Sequence, residues 1–296
     1  MTGAGKTIAF QGEAGAYSHL AAQLEYADIE PQACQTFDAA FAEVEQERAD
    51  LAIIPIENSV ASRVADIYYL LPNTTLHIIA ETFLRVSHCL LAPPGATLAG
   101  LKRVRSHPQG LAQCKRIISE LGLLPVPTLD TAGAAREVAE AGDPAEAAIA
   151  SSLAGSLNQL ETLRTNIEDA EHNITRFIIL AREAQTPEPG TKGVVTSFMF
   201  RVRSVPAALY KALGGFATRG VNLTKLESYT VGQRFAVARF YAEIEGHRND
   251  AEVRGAFEEL GLFSTEVKIL GVFPGHQYRQ EGGRPLSDLN SEIQGP

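Results

Sequence analysis

Residues 173–180 read Asn-Ile-Thr-Arg-Phe-Ile-Ile-Leu, a short polar segment that runs directly into an apolar run. The apolar half predicts a buried β-strand. The polar half places the hydroxyl of Thr175 at one end of this rigid element, which is how a reactive group is held in position. Because side chains alternate along a strand, Thr175 and Phe177 share one face and Arg176 lies on the other. The stretch therefore predicts a sheet with a functional site at its edge.

Short apolar runs alternate with amphipathic patterns through the first 180 residues. Strands are predicted at Thr7–Gln11, Leu51–Pro55, Leu76–Ala80, Lys102–Arg105, Ala147–Ala150 and Ile174–Leu180. Helices are predicted at Phe37–Arg48, Ala61–Leu71, Gln109–Leu121 and Ala132–Ala141. This alternation favours parallel sheets covered by helices, in which functional residues gather at the carboxyl ends of the strands.

A different pattern follows residue 193. Residues 183–193 contain proline and glycine without apolar periodicity, so they are predicted to be a linker. The elements predicted beyond it are strands at Val194–Val202, Leu223–Tyr229, Phe235–Ile244 and Glu266–Phe273, with helices at Pro206–Arg219 and Asp250–Leu260. Their order, βαββαβ, is that of the ferredoxin-like arrangement. Residues 274–296 are polar and glycine-rich and are predicted to be a flexible tail.

Composition narrows the possible functions. The chain has 296 residues, which favours two domains, and a formal net charge of -9, which argues against nucleic acid or an anionic membrane as a partner. The cysteines Cys34, Cys89 and Cys114 are odd in number and far apart, so they are predicted to be reduced and buried. No apolar run reaches the length of a signal peptide or a membrane span, so we expect a soluble, cytoplasmic protein.

Polar segments follow three of the predicted strands. These are Gly12–Ser18, Glu57-Asn58-Ser59 and Ser106-His107-Pro108-Gln109. The first contains a turn that leads into a helix starting near Ala16, and the free backbone N–H groups at a helix start favour anions. Asn58, Ser59 or Ser106 could instead serve as the N-caps of following helices, one of them starting near Val60. Both interpretations of these segments stay open from the residues alone.

In their order along the chain, these segments and Thr175-Arg176-Phe177 resemble the signature motifs of the prephenate dehydratases. The resemblance covers nearly all of residues 7–273. It implies an α/β fold with a two-lobed catalytic domain, like a type II periplasmic binding protein, over residues 1–182. The lobes would be residues 7–80 with 165–182, and residues 81–164. It also implies that residues 194–273 form an ACT domain, a ferredoxin-like module that binds an amino acid at a dimer interface.

The resemblance further implies a reaction and a set of site residues. Prephenate dehydratases expel carbon dioxide and hydroxide from prephenate to give phenylpyruvate, without a cofactor. The implied catalytic residues are Thr175, Ser106 and Asn58. The implied substrate-binding residues are Ala16, Tyr17, Ser18, Glu57, Ser59, Gln113, Arg176 and Phe177. We expect no metal, since the histidines have no metal-ligand spacing and no Cys-x-x-Cys is present.

The ACT resemblance implies an allosteric site for phenylalanine, with tyrosine as the alternative. Its residues would be Ala208, Leu209, Asn222, Leu223, Glu227 and Ser228. The usual family pattern has Gly at the place of Ala207 and Arg-Pro at the place of Tyr229-Thr230, so this chain departs at three positions. Pairing of ACT domains implies a homodimer or a homotetramer.

Two other functions compete with this interpretation. Arogenate dehydratase, or an enzyme with dual specificity, would use the same scaffold on a substrate that carries an amino acid group in place of the pyruvyl ketone. A non-catalytic sensor would join a two-lobed solute-binding fold to an amino-acid-binding domain. The intact Thr175 and the polar residues around it favour an enzyme over a sensor.

Overall fold

The computed structural model describes residues 5–60, 62–170, 172–230 and 238–280. Its strands are β1 Thr7–Gln11, β2 Glu30–Cys34, β3 Leu51–Asn58, β4 Ser62–Arg63, β5 His77–Arg85, β6 Cys89–Ala92, β7 Arg103–Ser106, β8 Leu124–Pro127, β9 Glu146–Ala150, β10 Glu161–Arg164, β11 Ile174–Ala181, β12 Val194–Val202, β13 Leu223–Thr230, β14 Ala238–Glu245 and β15 Ser264–Pro274. Its helices are α1 Tyr17–Glu25, α2 Phe37–Glu45, α3 Ile67–Leu70, α4 Pro108–Gln113, α5 Lys115–Glu120, α6 Thr131–Ala141, α7 Ser152–Leu157, α8 Ala208–Thr218, α9 Ala251–Phe263 and α10 Gln277–Gln280.

The described chain divides into two compact units. The first contains residues 5–64 and 82–177, and the second contains residues 65–81 and 178–280, apart from the gaps already given. None of the helices in the described ranges is both long and apolar enough to span a bilayer.

The first unit contains two sheets, which we name the first lobe and the second lobe. In the first lobe β1 lies between β2 and β3, parallel to both, and β11 lies beside β3. Ile8, Phe10, Ile53 and Ile54 of these strands are buried. The near-continuous apolar runs of β1 and β3 are what a parallel sheet covered on both faces requires.

The second lobe is a five-stranded sheet in the order β10-β6-β9-β7-β8. Alternate residues of its central strands enter two separate cores. Leu90 and Ile149 pack with Ile117 of α5, whereas Leu91 and Ala148 pack against α6 and α7. Helices therefore cover both faces of this sheet, and the period of two in the strands decides which face each side chain meets.

Two of the predicted helices differ from the structure. The pattern over Ala61–Leu71 is not one helix, because the chain reverses after Asn58 and β4 runs back along β3, with Glu57 opposite Arg63; only α3 is helical. The predicted helix Gln109–Leu121 is interrupted at Cys114. There the carboxylate of Asp169 accepts hydrogen bonds from the backbone N–H groups that begin α5.

The second unit has the βαββαβ order that the sequence predicts. Its antiparallel strands lie in the order β13-β14-β12-β15, and α8 and α9 pack on one face. The shared core is aromatic: the Phe198 ring lies 5.8 Å from Phe216 and 4.8 Å from Phe257. The predicted strand Phe235–Ile244 begins at Ala238 in the structure, and residues 235–237 lie outside the described residues.

The predicted flexible tail begins too early. Residues 277–280 form α10, and the Arg279 guanidinium binds the buried carboxylates of Glu81 and Glu243 at 2.8 and 2.7 Å. The second unit therefore extends at least to residue 280. Residues 281–296 of the predicted tail lie outside the described residues.

Gly271 supports a close approach of two strands in the second unit. It pairs with Ile78 where β15 meets β5, and a Cβ at this position would lie 2.1 Å from the Ile78 carbonyl oxygen. We expect Gly271→Ala to lower the free energy of unfolding by about 1–3 kcal/mol, as for an overpacked core. Urea denaturation measures it.

The matched control is Gly261→Ala on α9, where nothing lies within 4 Å of the added Cβ. This substitution should raise stability by about 0.5–1 kcal/mol, because alanine favours the helix. Equal effects of the two variants would contradict the contact between the strands.

Candidate active site

Thr175 lies at the start of β11, with 8% of its surface exposed. Asn58, the last residue of the neighbouring strand β3, donates from Nδ2 to the Thr175 hydroxyl oxygen at 2.9 Å and to Asn173 Oδ1 at 2.8 Å. Within the described residues no acceptor takes the proton of the Thr175 hydroxyl. The arrangement therefore leaves that proton for donation to a ligand.

Ser59 joins the end of β3 to the start of β11, where Thr175 lies. Its backbone N–H donates to the carbonyl of Ile174 at 2.9 Å, and Ile174 N–H donates to the Ser59 hydroxyl oxygen at 2.9 Å. The Ser59 hydroxyl in turn donates to the carbonyl of His172. Both ends of this hydroxyl are thus used within the protein, and they tie the end of β3 to the residue before Thr175.

The second lobe contributes Gln113, the last residue of α4. The helix ends at Cys114, and the backbone N–H of Asp169 donates to the Gln113 carbonyl at 2.7 Å. The side-chain Oε1 of Gln113 accepts a hydrogen bond from Asn173 Nδ2 at 3.2 Å and lies 2.9 Å from His88 Nε2. Polar side chains of both lobes are therefore joined in one network.

The loop before α1 also crosses between the lobes. The Ser151 hydroxyl donates to the carbonyl of Gly15, whose φ is 93°, and a Cβ at Gly15 would lie 2.6 Å from Ala154. Only glycine fits this approach. Glu13, in the same loop, accepts two hydrogen bonds from Arg136 of α6, at 2.7 and 3.1 Å. The loop is thereby held against the second lobe.

Helix α1 begins beside this loop. No side chain caps it, so its first backbone N–H groups remain suited to an anion. The Tyr17 hydroxyl lies 2.7 Å from His88 Nδ1 and 3.0 Å from the carbonyl of Ser87. Burial raises the pKa of the Tyr17 phenol and lowers the pKa of the His88 imidazole. Both side chains therefore stay neutral near pH 7.

Comparison with known proteins shows the family of the chain. The model of the prephenate dehydratase family matches residues 8–185. The chain belongs to the prephenate dehydratase family. A bifunctional N-acyl-homoserine lactone acylase/prephenate dehydratase of Komagataeibacter europaeus is 48% identical, over 93% of this chain and 98% of the relative. Arogenate dehydratase/prephenate dehydratase 2 of Arabidopsis thaliana is 39% identical, over 90% of this chain and 72% of the relative.

A solved structure covers both units. The prephenate dehydratase of Arthrobacter aurescens, in complex with L-Phe, is 28% identical, with a TM-score of 0.83 over 98% of this chain and 100% of that one. The mixed α/β fold expected from the sequence is thus that of a known prephenate dehydratase. Arogenate dehydratases are also among the relatives.

The predicted site residues of this family member fall into two groups. Thr175, Asn58, Gln113 and Tyr17 belong to the connected network, and Ala16 and Ser18 stand at the start of α1. Other predicted residues contact the protein instead of open space. Ser106 is 0% exposed and donates to the carbonyl of Ile149 at 2.7 Å, which fastens β7 to β9.

Arg176 and Phe177 are buried in the structure. Phe177 is 1% exposed, so its ring has no surface to offer a ligand in this arrangement. Arg176 is 4% exposed; its guanidinium lies 3.8 Å from the half-buried Glu57 and 6.0 Å from the centre of the Phe83 ring. The strand alternation predicted for Arg176 explains why it lies apart from Thr175.

Sequence reasoning missed Asn173 and His88. The signal for Asn173 was available, because it stands two residues before Thr175 and so on the same face of the extended chain. His88 had no such signal, since its partners Tyr17 and Gln113 are 71 and 25 residues away. Within the described ranges, no group of three or more His, Cys, Asp or Glu residues is placed to hold a metal.

His19 makes the loop before α1 sensitive to pH. Its Nδ1 accepts a hydrogen bond from Gly15 N–H at 3.0 Å, and burial lowers its pKa from the ordinary value of 6.5. Below that pH the unfolded chain binds a proton that the folded protein resists. We therefore expect the free energy of unfolding to fall as pH drops below 6.5, until the folded-state pKa is passed.

The measurement is urea denaturation between pH 5 and pH 8 for the wild type and for His19→Gln, whose amide oxygen can still accept from Gly15. In this variant the free energy of unfolding should depend less steeply on pH, by up to about 1.4 kcal/mol per pH unit. His172→Gln, which removes an exposed imidazole, is the control for the free energy of unfolding. An unchanged slope in His19→Gln would contradict the assignment.

Proposed function

We propose that this protein is a prephenate dehydratase in which Thr175 donates a hydrogen bond to the departing hydroxide. The observation that carries the proposal is the Asn58–Thr175 contact at 2.9 Å, which uses the hydroxyl oxygen as an acceptor and leaves its proton to donate. Membership of the family supports the reaction. The substrate-facing groups are neutral donors, which suit the two carboxylates of prephenate.

The chemistry requires little beyond positioning and one donor. The bond from the ring to its carboxylate breaks, its electron pair enters the ring, and the hydroxide leaves from the opposite carbon. Aromatisation favours the products, while hydroxide is a poor leaving group. A donor on the leaving oxygen contributes roughly 10²- to 10⁴-fold to the rate.

Thr175 acts by hydrogen bonding and does not pass on a proton from the network. The group bonded to its oxygen is the amide of Asn58, and an amide N–H does not ionise in this pH range. No proton can therefore be supplied from Asn58. The departing hydroxide takes a proton from solvent and becomes water.

An assay with prephenate and with arogenate tests the proposal. Purified protein should form phenylpyruvate from prephenate. Phenylalanine formed from arogenate with the higher kcat/KM would instead select arogenate dehydratase, in which the same Thr175 hydroxyl assists the same departure. If neither substrate gave a product, the proposed dehydratase function would be wrong, and the result would favour the non-catalytic sensor.

Substitution of Thr175 is the sharpest check on the mechanism. Thr175→Ala removes the donor, so kcat should fall by roughly 10²-fold or more, because the leaving oxygen loses its hydrogen bond in the transition state. Thr175→Ser keeps the hydroxyl and should retain much of the activity. Circular dichroism serves as the folding control. Turnover at the wild-type rate in Thr175→Ala would exclude Thr175 from the reaction.

A second candidate activity is acylase action on N-acyl-homoserine lactones. It is favoured by the 48% identity to the bifunctional relative over nearly the whole of both chains. Amide hydrolysis by Thr175 would need a base beside its hydroxyl, whereas the contact described there is the amide of Asn58. Release of homoserine lactone by wild type and by Thr175→Ala tests the activity and whether it shares the dehydratase site.

We also propose that the second unit is an ACT domain that pairs in a homodimer and binds phenylalanine. The βαββαβ order and the relative solved with L-Phe support this. The expected site residues at the start of α8 and along β13 include the buried Ala208 and the exposed Asn222, whose Nδ2 donates to Glu245 at 3.0 Å. Leu209 and Leu223 lie half-buried against the core, and Glu227 lies 3.6 Å from Lys225.

Ala207 explains one departure from the family pattern. Its φ is 60° and its ψ is 20°, a left-handed conformation in which glycine is preferred. The alanine therefore strains the start of α8. Tyr229, at the place of the usual arginine, is buried against the Tyr68 and Tyr69 rings at 5.9 and 6.0 Å. Its phenol offers no positive charge to a ligand.

We expect Ala207→Gly to stabilise the protein by about 1 kcal/mol, the cost of a left-handed non-glycine residue. If the strained turn weakens the effector site, the same variant should bind phenylalanine more tightly than the wild type. Calorimetry with phenylalanine and tyrosine measures binding, and light scattering measures the oligomer. Absence of binding by both amino acids at millimolar concentration would leave the second unit as a dimerisation domain.

A further inference from the structure

The side-chain amides of the site form one continuous ladder. Asn58 Nδ2 donates to Asn173 Oδ1 at 2.8 Å, and Asn173 Nδ2 donates to Gln113 Oε1 at 3.2 Å. At the far end, Gln113 Oε1 lies 2.9 Å from His88 Nε2. An amide has one accepting end and one donating end, so the orientation of each member fixes that of the next.

A backbone group settles the orientation of the whole ladder. Val60 N–H donates to Asn58 Oδ1 at 3.0 Å. A backbone N–H can only donate, so the atom it meets must be the amide oxygen of Asn58. The Asn58 nitrogen must then face Asn173 and Thr175.

The same logic continues into the second lobe. Asn173 meets Asn58 with its oxygen, so its nitrogen faces Gln113, and Gln113 must accept with Oε1. Because that oxygen cannot donate, His88 must carry a proton on Nε2. In a neutral ring Nδ1 is then unprotonated and accepts the single phenol proton of Tyr17 at 2.7 Å, in competition with the carbonyl of Ser87 at 3.0 Å.

One consequence concerns the free end of Gln113. With Oε1 taken by His88 and Asn173, the Nε2 group must point away from both. Gln113 is half-buried, and no acceptor for its Nε2 group occurs among the described residues. The ladder thus ends in an NH₂ donor, which suits a carboxylate or ketone oxygen and opposes an ammonium group.

We propose that His88 is a positioning residue that holds Gln113 with its NH₂ group directed to an acceptor oxygen of the substrate. The inference rests on the proposed dehydratase function and assigns a role to a histidine outside the predicted site. Without the Nε2–H donor of His88, the Gln113 side chain can rotate or exchange the positions of its oxygen and nitrogen. The Gln113 NH₂ group is then directed to the substrate for only part of the time.

The geometry is tested first without activity. In protein labelled with ¹⁵N-histidine, the long-range ¹H–¹⁵N spectrum distinguishes the two neutral tautomers from imidazolium, and a His88→Gln sample assigns the signal. We expect the Nε2–H tautomer between pH 6 and pH 8. The Nδ1–H tautomer, which has no proton on Nε2 to donate to Gln113, would overturn the proposal.

A double-mutant cycle with Gln113 tests the role. His88→Met, which cannot donate, should lower kcat/KM for prephenate by up to about 10-fold, the value of one hydrogen bond. In a Gln113→Met background the same change should cost less than about 2-fold, because coupled residues are non-additive. His88→Gln, which can donate from its amide, should recover a large part of the loss.

The outcomes separate this proposal from the function itself. Equal losses from His88→Met in both backgrounds would show that His88 acts on folding or on another group, and would overturn the proposal while the enzyme remains a dehydratase. Absence of product from wild-type protein would overturn the dehydratase function, and the tautomer measurement would still decide the ladder.

Discussion

The hydrogen bond from Val60 N–H to Asn58 Oδ1 is the constraint on which the direction of the site depends. Side-chain amides are nearly symmetrical in shape, so a ladder built from them could face either way. A backbone donor at one end removes that freedom. Val60 is placed by the reversal of the chain from β3 into β4, with Asn58 opposite Ser62. A short hairpin thereby determines which ends of these side-chain amides donate and which accept.

The ladder also couples the two lobes of the first unit. Asn58 and Asn173 belong to the first lobe, whereas Gln113 and His88 belong to the second. The contacts of Glu13 with Arg136 and of Gly15 with Ser151 hold the lobes at the distance at which the amides meet. A movement of roughly 1 Å would break hydrogen bonds of this length. Any effector that shifts the lobes would therefore act on the orientation of the donors as well as on the width of the site.

The sequence predicted the elements whose signal is local. Strands such as Thr7–Gln11 and Val194–Val202, and the βαββαβ order, follow from apolar runs and their spacing. The helix predicted over Ala61–Leu71 was wrong because apolar spacing does not register a chain reversal set by pairing with β3. In the site, Thr175 and Asn58 were predicted to lie together, and they do. His88 was not predicted, because its role arises from contacts between segments far apart in sequence.

Buried charge limits sequence reasoning in the same way at the end of the second unit. Glu81 lies in β5 and Glu243 in β14. From the sequence alone, each would be taken for a carboxylate on the surface. Both are buried, and Arg279 is bonded to both. Burying a carboxylate costs several kcal/mol unless a partner compensates for it. Residues 275–280, polar and glycine-containing, therefore belong to the folded unit because two distant glutamates require their arginine, and no property of the segment itself could reveal that.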